Sequence, residues 1–393
     1  MNKKIVIVSA KRTPIGKLNG ALKSLSAVDL GTAVSKSAIQ ELNLAEENID
    51  QVIFGNVLQA GNGQNVARQI ELNTGANFSS TANTINQVCG SGMKAIRNAQ
   101  MEIQMGTADI IIAGGTESMS NAPFLNKNIR TEHKLGNISL VDSMLNDALT
   151  DAFSGKHMGI TAENVAKKFN ISRKEQDEWA FLSNQRAIAA QDNGWFQNEI
   201  VPIEVNESKN HFIMREDESI YRKTSLEKLS SLKTVFMEEG TVTAGNSSSI
   251  NDGASALVLM SAAKAESLHL KPLATIEDYT EVGIDPDIMG YAPYYAIQKI
   301  LNRNNLTVED IDLFELNEAF ASQVLAVSKN LNITPDKLNI AGGAIALGHP
   351  LGDSGARIIT TLINNLKRTN KHSGIASICI GGGMGMAMQI SVD

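Results

Sequence analysis

Cys89 lies between the stretch Ile85 to Val88 and GSGMKAIRNAQMEIQMG, where Met93, Ile96, Ala99 or Gln100, and Ile103 recur on one helical face. This sets the cysteine at a strand-to-helix corner. Unpaired N–H groups and the positive dipole end of a helix favour an anion there and lower a thiol pKa from its free value of about 8.5. The expected species is a thiolate nucleophile, with Gly90 and Gly92 leaving room for substrate and for backbone amides at a developing oxyanion. An inert core cysteine fits the same residues. His349, in AGGAIALGHPLGDSG (Ala341 to Gly355), reads as a loop histidine with a helix starting near Ser354. Its imidazole could take a thiol proton near neutral pH, or be a satisfied structural group. Cys379 ends a buried strand just before Gly381, Gly382 and Gly383, glycines that keep a strand end open so that N–H groups can face a ligand. Asn317 follows the strand Leu313 to Leu316, and its amide could orient a water or polarise a carbonyl. Glu315 and Glu318 beside it form either a solvated pair or an acid/base pair, surface charge being the commoner outcome.

A scaffold must bring these corners together, and the chain reads as α/β. It opens KKIVIVSAKRTPIG, a β-branched run closed by a Thr-Pro-Ile-Gly turn, and strand followed by breaker recurs. Asp109 to Gly115 and Ile375 to Gly383 predict buried strands, while Leu226 to Phe236 and Leu325 to Leu331 carry helical spacing. Met384, Met386, Met388, Ile390 and Val392 alternate, which predicts strand packing and not a cofactor box.

Asn43 to Asn56 (NLAEENIDQVIFGN) resembles Asn305 to Glu318 (NLTVEDIDLFELNE), and Gly90 to Ile96 (GSGMKAI) resembles Asp353 to Ile359 (DSGARII) at almost the same offset. Two matches in one order predict a duplicated core of two similar halves, with mixed sheets and covering helices. The expected N-terminal half is residues 1–118 with 250–270, and the C-terminal half 271–393. Residues 119–249 match nothing in the second half and are expected to form an inserted loop domain, either a binding surface or a covering element. They hold Trp179, Trp195, an Asn193-Gly194 turn and a helix whose Ser172 and Glu175 fit a capping box. Since the Cys89 and His349 corners are repeat-equivalent, pseudo-symmetry would put them at one shared site.

Composition narrows the classes. Of 393 residues, 42% are hydrophobic and 20% charged, which fits a large packed core and not disorder. With 35 Lys and Arg against 42 Asp and Glu, the formal charge of −7 argues against a nucleic-acid partner. The early apolar run Ile5 to Val8 is far shorter than the ~20 residues of a membrane span. The expectation is a cytoplasmic protein with no membrane association. Two cysteines without CxxC, and six histidines without HxxxH, argue against a disulfide framework and a zinc site; no metal or redox cofactor is expected.

Taken together, VCGSGMKA, NEAF, GGAIALGHPLGDSGAR and CIGGGMGMA resemble the four catalytic blocks of the thiolases, in family order and over essentially the whole chain. HMGITAENVA (His157 to Ala166) and TVTAGNSSSINDGA (Thr241 to Ala254) resemble more narrowly the biosynthetic branch, acetyl-CoA C-acetyltransferases that make acetoacetyl-CoA and CoA from two acetyl-CoA. The resemblance implies that Cys89 attacks one thioester while His349 accepts its proton. Cys379 then deprotonates the methyl group of a second acetyl-CoA. It implies two oxyanion sites, one from a water on Asn317 with His349, the other from the Cys89 and Gly381 amides. Leu149, His157, Met158, Leu232, Phe236, Ala244, Ser248 and Phe320 would line the pantetheine and acyl channel. Arg215, Arg222, Lys223, Lys228 and Lys233 offer either positive charge for coenzyme A phosphates or a solvated helix face, the commoner outcome for such a run, and Arg222 or Tyr221 falls where the family has an arginine. A homo-oligomer, usually a tetramer, is also implied. A degradative 3-ketoacyl-CoA thiolase would use the same catalytic residues, a ketoacyl synthase would have a histidine in place of Asn317, and a noncatalytic acyl-CoA carrier would not require both cysteines.

Overall fold

A computed structural model describes residues 3–131, 135–207 and 210–393. Its centre is a ten-stranded mixed sheet ordered Leu313–Leu316, Ser373–Ile380, Met384–Ser391, Ala274–Gly283, Ile5–Arg12, Asn251–Ser261, Ile110–Ser118, Gln51–Gly55 and Thr81–Ile85, with Gly16–Lys17 pairing beside Asn251–Ser261. Outward from the seam between Ile5–Arg12 and Ala274–Gly283, each side runs antiparallel, antiparallel, then parallel. The duplication is therefore visible as a palindrome in strand order. At the seam itself Val6 pairs with Thr275 and Ile7 with Ala274.

The side-chain period of two explains how one strand serves two layers. Ile5 and Ile7, Ile111, Leu257 and Leu259 enter a central core, whereas Val6, Val8, Ile110, Ile112, Val258 and Met260 pack outward against the Ala27–Glu41 and Val66–Thr74 helices. Met386, Met388 and Ile390 join the same central core from the second half. Two helices fill that core, Ser91–Met105 through Met93, Ile96 and Ile103, and Leu351–Thr369 through Ile358, Ile359, Leu362 and Leu366. They cross at their N-terminal ends on reciprocal glycines. A Cβ on Gly92 would lie 2.8 Å from the Ala356 amide nitrogen, and one on Gly355 2.5 Å from that of Met93. These glycines are repeat-equivalent, so the internal similarity seen in the sequence is the contact that brings the two loops ahead of these helices together.

The chain leaves the sheet after Ser118 and re-enters at Asn251, which begins the neighbouring strand. In between, the Arg173–Asp192 helix starts on the Ser172–Glu175 capping box. The helix expected over Leu226 to Phe236 stops at Ser231, because Leu232 takes an extended conformation. Arg12 ties this segment to the sheet. It is fully buried, its Nε 2.6 Å from Glu199 and its Nη1 and Nη2 2.7 and 2.9 Å from the two Asp217 oxygens. Removing one member of a buried ion cluster leaves the others uncompensated. Arg12→Met is expected to lose about 3–5 kcal/mol, a large part of the ~5–15 kcal/mol typical of a folded domain. Chemical denaturation checks this, and a wild-type midpoint would contradict it. Among the described residues, no helix is long and apolar enough to cross a membrane.

Candidate active site

Cys89 occupies the corner between the Thr81–Ile85 strand and the Ser91–Met105 helix. That corner is tightly held. Ser91 Oγ accepts from the Gln87 amide at 2.8 Å and donates to the Val88 carbonyl at 2.6 Å, while Asn86 Oδ1 accepts from the Val88 amide at 3.0 Å. These bonds force Val88 to a φ of +46°, a left-handed conformation that a β-branched residue avoids. Nothing in the sequence marked Val88, the residue type least expected there.

Cys89 is partly exposed at one cavity of about 1040 Å³, which His349 and Gly381 also line. The expected thiolate is not the resting form. Loss of hydration pushes the Cys89 thiol up to about 12, outweighing the opposing bonds from the Gly381 and Cys89 amides, and the buried Glu117 adds to the rise. The helix end is real, but it acts in surroundings too dry for a free anion. Cys379 lies buried behind the cavity among Met158, Met289, Ala319 and Phe320, and is also pushed well up, first by burial and then by Cys89. The two thiols are thus close enough to feel each other's charge.

His349 is buried and neutral. Burial, and then the positive charge of Arg357, push it down to about 3. Its Nδ1 lies 2.5 Å from Ser354 Oγ, whose hydrogen goes to the Pro350 carbonyl at 2.8 Å. Ser354 therefore accepts, Nδ1 carries the proton, and Nε2 keeps its lone pair. Asn317 Nδ2 stands 3.4 Å from Nε2, and its buried Oδ1 has no protein partner. Asn251, also fully buried, links several parts: its Oδ1 accepts from the His349 amide at 3.0 Å, and its Nδ2 donates to the Gly16 carbonyl and to Ser219 Oγ, both at 2.9 Å. Asn251-Asp-Gly has the composition of a turn, which concealed its place in a strand.

Leu149, His157, Met158, Leu232, Phe236, Ala244, Ser248 and Phe320 all line the same cavity. Leu149 ends a π-helical turn, Leu145–Leu149. His157 caps the Met158–Lys168 helix, its Nδ1 accepting from the Gly159 amide at 3.0 Å, and stacks on Phe236 with ring centroids 4.7 Å apart. Ser248 donates to the Ala319 carbonyl at 3.1 Å. Arg222 is not in the lining. It pairs with Asp192 at 2.7 Å, and Tyr221 faces the cavity instead.

Glu315 and Glu318 are neither a solvated pair nor part of the cavity lining. Both are buried: Glu315 bonds Arg357 at 3.1 Å and is raised to about 8 by burial, whereas Glu318 accepts from Trp179, Ser183, Asn339 and the Ile345 amide. They hold the loops that carry Asn317 and His349. Glu117, absent from the sequence reading, does the same on the other side by accepting from Asn56, Val57, Leu58 and the Gly352 amide. Among the described residues no group of three or more His, Cys, Asp or Glu could hold a metal ion.

Residues 5–263 match the thiolase N-terminal domain and residues 270–392 the thiolase C-terminal domain. A protein of Staphylococcus aureus (strain COL) named probable acetyl-CoA acyltransferase is 48% identical over 389 residues, 99% of each chain. Among solved structures, the Bacillus anthracis acetyl-CoA acetyltransferase gives a TM-score of 0.97 at 41% identity, covering 100% of both chains. Human mitochondrial 3-ketoacyl-CoA thiolase gives 0.96 at 43% identity, covering 99% of both.

Proposed function

The chain belongs to the thiolase family and is an acyltransferase, and from that premise we propose that it condenses two acetyl-CoA molecules to acetoacetyl-CoA and CoA, reversibly, through an acetyl group on Cys89. In the first half, Cys89 sulfur bonds the thioester carbonyl and its proton passes to His349 Nε2. The C–S bond to CoA breaks, and the departing sulfur takes the Cys379 proton. In the second half, the Cys379 thiolate removes a methyl proton from the next acetyl-CoA. The resulting enolate attacks the acetyl group, and Cys89 leaves with the proton held on His349. Every group returns to its starting state. Amides of Cys89 and Gly381 would stabilise one oxyanion, and a water on Asn317 with His349 the other.

The observation that carries the short-chain reading is the packing behind the thiols. Met158, Met289, Ala319, Phe320 and Cys379 form one buried cluster, and Met158 sulfur lies 3.8 Å from where a Cβ on Gly381 would be. That packing supports a short acyl group at the reacting carbons. The degradative 3-ketoacyl-CoA thiolase reading keeps the same chemistry and draws on the likeness to the human enzyme of that name. Chain length separates them. Thiolysis kcat/KM is expected to fall by about 10²-fold or more from acetoacetyl-CoA to a long-chain 3-ketoacyl-CoA, the penalty for methylenes with no room. A flat or rising profile would favour the degradative reading. The same proposal takes the protein to be cytoplasmic and, as the family resemblance implies, a homo-oligomer.

A further inference from the structure

Among the described residues, ten that are not glycine take a positive φ. Eight are asparagines and one, His269, is a histidine, types that enter the left-handed region readily. The tenth is Val88, at +46° and next to the nucleophile. A branched Cβ makes that conformation costly, and such outliers persist where the surroundings over-determine them, commonly at functional sites. Both backbone groups of Val88 are engaged here. Its amide donates to Asn86 Oδ1 at 3.0 Å, and its carbonyl accepts from Ser91 Oγ at 2.6 Å and from the Ser91 amide at 3.1 Å. Asparagine or glycine could make the same bonds with less strain. The turn alone does not require a valine, so the reason for one lies in its side chain.

That side chain faces the other half of the molecule. Val88 lines the cavity together with Cys89, Met158 and Gly381. A Cβ on Gly381 would find its three nearest neighbours in the two Val88 γ carbons, at 3.4 and 4.0 Å, and the Met158 sulfur, at 3.8 Å. Val88 and Met158 therefore wall the bare face of Gly381. The Gly381 and Cys89 amides both bond the Cys89 thiol, so the two donors converge from opposite halves of the chain. Beyond Gly381 the chain turns through Gly382 and Gly383, at φ +83° and +81°, before the Gly383 carbonyl accepts from the Ile284 amide at 2.6 Å. Three consecutive glycines leave such a turn many conformations, and a wall against the first of them narrows the choice.

We propose that Val88 is a positioning residue: its left-handed backbone aims the branched side chain at Gly381 and so keeps the Gly381 amide in line with the Cys89 amide, where both meet the oxyanion of the attacked thioester. This rests on reading Cys89 as the thiol that accepts the acyl group. Val88→Gly relieves the strain and removes the wall, whereas Val88→Ala removes the γ carbons alone. Each is expected to slow acetylation of Cys89 by acetyl-CoA about tenfold to 10²-fold, as misplacement and not loss of an oxyanion donor would. KM should change little. Val88→Ile, which keeps both γ carbons, should retain most of the rate.

Two controls separate positioning from general support of the corner. Iodoacetamide builds no oxyanion, so it should alkylate Cys89 at the wild-type rate in all three variants. The unfolding temperature of Val88→Gly should not fall below that of wild type, because relief of left-handed strain offsets the lost contact. Wild-type acetylation in both Val88→Gly and Val88→Ala would overturn the inference. A parallel loss of acetylation, alkylation and thermal stability would overturn it too, since Val88 would then merely hold the corner together. Wild-type protein that is alkylated at Cys89 yet takes up no acetyl group would sink the proposed reaction, and the positioning role with it.

Discussion

Cys89→Ser is expected to form no acetyl-enzyme and to lower kcat by about 10⁴-fold or more, as removal of a covalent nucleophile does. The reason lies in how weak the activating machinery is at rest. His349 is held down to about 3 and the Cys89 thiol up to about 12, so neither the imidazolium nor the thiolate exists before substrate arrives. Proton transfer must accompany attack on the carbonyl. A thiol with its polarisable sulfur tolerates that demand, whereas a serine hydroxyl, far less acidic in the same dry corner, does not.

Mass spectrometry after mixing with acetyl-CoA reads the adduct directly, and thermal unfolding of the variant controls for folding. A Cys89→Ser protein that still takes up acetate would remove Cys89 from the mechanism. The resting state has a pH signature as well. Because the thiol pKa is raised, the thiolate fraction grows with pH, and alkylation of Cys89 by iodoacetamide should climb about tenfold per unit through neutral pH. A plateau below pH 7 would instead mean a preformed ion pair.

The sequence pointed to the corners more reliably than to their electrostatics. Strand-to-helix junctions are local, so periodicity and capping place them: Leu313–Leu316 and the Ser172 cap lie where spacing put them. Burial is not local. The helix dipole argued for a thiolate at Cys89, and only the packed surroundings show that desolvation wins. Glu315 and Glu318 misled for the same reason, since their partners Arg357, Trp179, Ser183 and Asn339 come from distant segments. The Leu226 to Phe236 stretch kept helical spacing yet broke at Leu232, because Leu232 and Phe236 both face the cavity, where an extended chain can line it. Arg222 and Tyr221 could not be ranked until Asp192 was seen to hold the arginine.

Cys379→Ser should split the two halves of the reaction. Acetylation of Cys89 is expected to slow by no more than about tenfold, since a thiol of pKa near ~8.5 can depart without an acid. Condensation should fall by about 10²- to 10⁴-fold, the range for loss of a positioned general base. Cys379 suits the role because it is buried beside Cys89 and holds its proton at rest, by burial first and by its neighbour's charge second. A group that firmly protonated is a poor base in the free protein. It becomes one only after surrendering its proton to the departing CoA sulfur, which ties the second half-reaction to completion of the first. Exchange of the acetyl-CoA methyl hydrogens with deuterated solvent reports the step alone. Exchange should disappear in Cys379→Ser while the acetyl adduct still forms. Wild-type exchange in that variant would assign the base elsewhere, and loss of the adduct along with exchange would instead make Cys379 essential to acylation.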